Sequence, residues 1–125
     1  GQTAPALEMT KYWVAPMTEG LANNNDALSK CPDGWRLPLK NDFREFTRND
    51  KQNMIEKFLA GANPQGIGLG GDAKGLVAYW GSERGNTNPS SLTVDQSQWH
   101  WYIQDNSICG CTSNSLLNVR CIKDK

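Results

Sequence analysis

Four cysteines, Cys31, Cys109, Cys111 and Cys121, constrain this 125-residue chain more than any other feature of it. An even number of thiols in a small Gly- and Asn-rich chain points to disulfides, which persist in oxidising compartments. A zinc site would call for two close ligand pairs, and only Cys109 and Cys111 stand close in sequence. Cys31 is isolated, and the single histidine, His100, lies between two tryptophans. Spacing leaves all three disulfide pairings open. Joining Cys31 to Cys121 would close a loop of about 90 residues, worth ~4–5 kcal/mol in the chain-entropy picture. Cys109 and Cys111 would then pair across one glycine, a tight geometry, or stay reduced.

The length suits one domain spanning residues 1–125, with residues 1–8 as a lead-in arm of little periodicity. Thirteen Lys and Arg balance thirteen Asp and Glu, so the formal net charge is zero. That argues against a nucleic-acid partner, whose phosphates are normally met by a basic excess. No apolar run approaches the ~20 residues of a membrane helix. No signal-peptide pattern opens the chain, and its start at Gly1 instead of Met fits a chain whose leader has been removed.

Along the chain, residues 11–15 have strand composition and Pro16 stops them. Leu21, Ala22, Leu28 and Cys31 fall at near-helical spacing, although three consecutive asparagines weaken a helix there. Pro32-Asp33-Gly34 signals a turn. Phe43 and Phe46 share a helix face; Ile55, Phe58 and Leu59 face inward from a second helical piece capped by Asn49 or Asp50 and ended by Gly61. Residues 62–75 are a glycine-rich loop. Its Gly66-Ile67-Gly68-Leu69-Gly70-Gly71 run lacks the following helix of a dinucleotide site and the Lys-Ser or Lys-Thr of a phosphate loop. Residues 76–80, 99–103 and 116–122 read as strands, and 82–91 as another loop. Helices followed by strands predict an α+β chain with antiparallel sheet.

The block Cys31-Pro32-Asp33-Gly34-Trp35-Arg36-Leu37-Pro38 and the ending Asn118-Val119-Arg120-Cys121 are the most distinctive motifs. Together they resemble the Fibrobacter major paralogous domain family of secreted and surface lipoproteins. Its members carry a Cys-Pro-x-Gly-Trp-Arg-Leu-Pro block before a helix and finish on a Val-Arg-Cys strand. Tyr79-Trp80-Gly81-Ser82 is similar to that family's Phe-Trp-Ser-Ser strand. The Arg-Leu-Pro block also resembles formylglycine-generating enzymes, a distant relation. The resemblance implies a C-type lectin-like fold, with two helices packed on antiparallel sheets, long loops and disulfide-tied ends. It further implies a Cys31–Cys121 bond, a turn at Gly34, Trp35 and Leu37 in the core, and Arg36 paired with carbonyls or a carboxylate near the chain ends. Leu39 stands where the family has Thr or Ser, so helix capping is expected to move to Asn41 or be lost.

Sugar-binding members of that fold use calcium held by a Glu-Pro-Asn or Gln-Pro-Asp loop and a Trp-Asn-Asp strand. Here Thr87-Asn88-Pro89-Ser90 has no acid or amide after its proline, and Trp-Asn-Asp is missing. No cofactor or metal is therefore expected. The stronger candidate is Trp99-His100-Trp101-Tyr102: on a strand Trp99 and Trp101 share one face and His100 and Tyr102 the other, so one pair would enter the core and the other stand exposed to stack on a ligand. Asn86, Asn88 and Asp95 flank it as further ligand-binding candidates. The variable, function-bearing surface is expected in the long loops 61–75 and 81–98. The reading is a secreted or surface-displayed bacterial adhesion module, not an enzyme, recognising a glycan or host-surface protein. Assembly with other subunits, as at a fimbrial tip, is the alternative. A copper or thiol enzyme using Cys109 and Cys111 stands third.

Overall fold

The computed structural model describes residues 6–16, 21–62, 76–84, 89–104 and 116–125. These form an α+β arrangement with two antiparallel three-stranded sheets. The first sheet joins β1 (Leu7–Glu8), β2 (Tyr12–Val14) and β6 (Ile122–Asp124) in the order β1-β2-β6, so both ends of the chain lie in it. The second is a meander of β3 (Leu76–Arg84), β4 (Pro89–Asp95) and β5 (His100–Gln104). Between them in sequence come α1 (Asn24–Leu28), α2 (Lys40–Asn49) and α3 (Lys51–Asn53), the last running into a π-helical turn at Met54–Phe58.

The main core lies where β2 and the α2–α3 segment face the inner side of the meander. Phe43, Phe46, Met54, Phe58, Val77, Tyr79, Leu92 and Val94 are buried there with Tyr12, Val14 and Ile122. Its aromatics meet edge-on or tilted; Phe58 lies 4.9 Å from Phe46 and 4.7 Å from Tyr79, ring centre to ring centre. Such pairs each add ~0.5–1.5 kcal/mol beyond the area they bury. A smaller cluster of Ala22, Ala27, Leu37, Ala78, Trp80, Leu117 and Val119 fills the opposite side of β3. The Trp80 indole N–H donates to the Ala22 carbonyl at 2.7 Å, which satisfies the one polar atom of a fully buried side chain.

The two end motifs are the joinery of this fold. Cys31 and Cys121 are disulfide-bonded, the pairing that the resemblance implies. Gly34 turns the chain at φ +87°, where a residue without Cβ is unstrained. Arg36 then exchanges both backbone hydrogen bonds with Ile122. Arg120 is buried and donates to the carbonyls of Ala15, Phe58 and Ala60, holding the end of the π turn against the N-terminal strand. Desolvation there lowers its pKa from the usual arginine value.

Several sequence expectations change. Leu7–Glu8 is a strand paired with Val14 and Trp13, so the arm is already part of a sheet by Leu7. The asparagine run helps its helix: the Asn23 side chain accepts from the Asp26 amide at 2.9 Å, and Ala27 faces the core while Leu28 is exposed. Leu37 is buried, but Trp35 is only half-buried. At α2 neither Leu39 nor Asn41 caps. Asp42, three residues in, accepts from the Leu39 amide at 2.8 Å, and Asn41 instead binds Arg44. Of the expected loop 82–91, residues 82–84 belong to β3 and 89–91 to β4, the central strand of its sheet, while 85–88 lie outside the described residues. Residues 116–122 supply isolated bridges, Leu117 to Ala22 and Asn118 to Tyr79, before β6 begins.

Candidate functional site

Pairing in the meander decides which aromatics reach solvent. On β5, Trp101 opposes Val94 and Ile103 opposes Leu92, so both pack against the main core. Lys51 lies 5.2 Å above the Trp101 ring, at the start of α3. Alternation places His100 and Tyr102 on the other face, opposite Asp95 and Thr93. Their rings meet edge to face at 4.9 Å, and both side chains are exposed. On that face the small cluster covers β3 through Ala78 and Trp80, while His100 and Tyr102 on β5 stay exposed.

Trp99 is not a strand residue. It ends the four-residue turn between β4 and β5 in the left-handed region, at φ 52°, the only non-glycine described residue there. The expectation that Trp99 and Trp101 share a strand face is therefore corrected: the chain twists between them. A left-handed conformation costs an L-residue roughly 1–2 kcal/mol and is normally left to Gly or Asn. Trp99 remains 37% exposed and belongs to neither core cluster. The turn itself is held by Asp95, whose carboxylate accepts from the Ser97 hydroxyl at 2.6 Å and the Ser97 amide at 3.0 Å. The Ser97 hydroxyl chiefly, with amides of Ser97 and Gln98 and the charge of His100, holds the Asp95 carboxyl below the usual range.

The candidate residues thus sort by position. Trp99, His100, Tyr102 and Asp95 come together at one end of the meander, and Trp101 faces inward. Asn86, Asn88, Cys109 and Cys111 lie outside the described residues, as does most of the loop 61–75. Among the described residues no three His, Cys, Asp or Glu side chains are grouped as a metal site.

The motif block forms a second polar centre. Arg36 reaches Asp42 at 2.6 Å and Asp124 at 3.0 Å, and the Tyr12 hydroxyl donates to Asp42 at 2.6 Å. Burial would raise the Asp42 pKa, yet the Arg36 guanidinium, Tyr12 hydroxyl and Leu39 amide hold it below the usual value. The same burial, with the Asp42 hydrogen bond, pushes the Tyr12 phenol up. The family resemblance implies a partner for Arg36 near the chain ends, as Asp124 is, but does not single out Asp42, whose signal is an acid three residues past the expected cap position at Leu39.

No family model, curated protein sequence or solved structure matches the chain. No described helix is long and apolar enough to cross a membrane, and the Cys31–Cys121 bond is compatible with an oxidising, non-cytoplasmic setting.

Proposed function

We propose that this chain is a secreted or surface-displayed bacterial binding module of the C-type lectin-like fold, related to the Fibrobacter major paralogous domain. It takes a glycan or host-surface ligand on the end of the meander formed by Trp99, His100 and Tyr102. The observation that carries the reading is Trp99: a large, partly exposed indole held in a conformation that suits glycine. Backbone strain at an exposed side chain is characteristic of sites where the side chain, not the fold, benefits. His100 and Tyr102 extend the aromatic surface beside it. The disulfide linking the two end motifs supports the secreted setting.

A glycan array run with wild type, Trp99→Gly and Tyr102→Ala, each with calcium and with EDTA, tests the reading. Binding is expected to survive EDTA and to weaken about tenfold or more in both variants. Trp99→Gly should melt at the wild-type temperature or above, since glycine relieves the turn. Variants that bind like wild type would overturn the assignment to β5.

A further inference from the structure

The outer face of the first sheet carries a row of side chains that no sequence motif marks. Glu8, Trp13 and Lys123 are cross-strand partners on β1, β2 and β6. Alternation sets them opposite the inward Tyr12, Val14 and Ile122. Because Arg36 and Ile122 exchange both backbone hydrogen bonds, Trp35 comes next across from Lys123. The Lys123 ammonium lies 6.0 Å over the Trp35 ring, and that of Lys125 lies 5.1 Å over Trp13. The row therefore runs Glu8, Trp13, Lys123, Trp35. At about 4.8 Å per strand, the backbone positions of the two tryptophans lie roughly 10 Å apart, with that of Lys123 between them.

Charge pairing separates Lys123 from its neighbours. Lys125 pairs with Glu8, Lys11 with Glu45, and Arg36 with Asp42 and Asp124. Lys123 is exposed and has no carboxylate partner among the described residues. Its flexible four-carbon stem can swing off the indole face. Flat ring, cation, flat ring is the complement of a chain of sugar rings bearing carboxylates. The C–H faces of the sugars stack on the indoles, and a carboxylate takes the place of the Trp35 ring beside Lys123. An acidic peptide would use the lysine and leave the indoles idle.

We propose that this face binds an acidic, uronate-type polysaccharide, at a site separate from β5 and independent of what β5 takes. The test is titration of the full 125-residue chain with polygalacturonate, followed by tryptophan fluorescence and calorimetry. A neutral β-glucan and polyglutamate serve as comparisons. Binding to polygalacturonate is expected to weaken with added salt and to exceed that of either comparison polymer about tenfold. Lys123→Gln, at an exposed position, and Trp35→Ala should each weaken it about tenfold, and Tyr102→Ala should leave it unchanged. If Trp35→Ala misfolds, Lys123→Gln alone decides. Absence of binding, equal binding by polyglutamate or the neutral glucan, or full binding by Lys123→Gln would overturn the proposal. Loss in Tyr102→Ala would also overturn it, because the ligand would then belong to β5.

Discussion

Gly81 and Ser90 sit side by side on β3 and β4, and the space between them admits one small group only. A Cβ on Gly81 would collide with the Ser90 hydroxyl and press within 3.1 Å of both Phe43 and the Pro38 carbonyl. Gly81→Ala is therefore expected to cost about 2 kcal/mol of unfolding free energy. The Ser90 hydroxyl is buried without a hydrogen-bond partner among the described residues. Ser90→Ala should accordingly be neutral or stabilising by ~1 kcal/mol. Combined, the two changes should be less damaging than their sum, because the alanine on β4 removes the atom that the other one strikes. Urea denaturation of the double-mutant cycle checks all three values. Strictly additive effects would mean that the contact with Phe43 or Pro38, not Ser90, sets the limit at Gly81. At this scale the sequence was legible wherever a residue's chemistry leaves it one option. Gly34 in its turn and Leu37 in the small cluster stand where the motif implies. Trp99 was not legible, since alternation along a strand says nothing about where the twist of a turn begins.

The start of α2 shows how an element survives without its usual cap. Leu39 offers no side-chain acceptor, so Asp42 reaches back to its amide while also holding Arg36 and Tyr12. One carboxylate thus fixes the helix entry, β2 and the link to β6. Its folded pKa lies below the unfolded value, so its contribution is present above about pH 4 and is lost as pH falls through the folded value. Asp42→Asn is expected to lower stability by about 2 kcal/mol at neutral pH, leaving the half-buried Arg36 guanidinium with Asp124 as its remaining charge partner. The variant should also show a shallower fall in melting temperature below pH 4 than wild type. Equal acid slopes would place the acid-sensitive group elsewhere. Helical phase made α2 readable through Phe43 and Phe46. β4 escaped for a physical reason: its Ser90, Ser91 and Thr93 are buried, and small polar residues after Asn88-Pro89 carry loop composition. The alternation of Leu92 and Val94 with Ser91 and Thr93 was the signal that it is a strand.

Over the whole molecule, the order of helices and strands indicates the α+β class, and the Cys31–Cys121 bond is the pairing the family resemblance implies. Which strands share a sheet does not follow, because β1 and β2 pair with β6 from the far end of the chain. Such long-range pairing leaves no local trace. Replacing Cys31 and Cys121 together by Ser should cost about 4 kcal/mol, the loop-closure entropy of a 90-residue separation. The comparison is best made by denaturant titration against wild type. A loss under 1 kcal/mol would show that the β2–β6 pairing alone closes the chain.

The same bond has a mechanical side. A pull on the two ends of these 125 residues travels through the sulfur atoms and bypasses everything from Cys31 to Cys121. Only the 30 residues before the bond and the four after it can unravel. At about 3.4 Å per extended residue, that caps the slack at roughly 115 Å instead of more than 400 Å. Under tension β1, β2 and β6 would peel away while the meander, with Trp99 and Tyr102 at its end, stays folded inside a covalent ring.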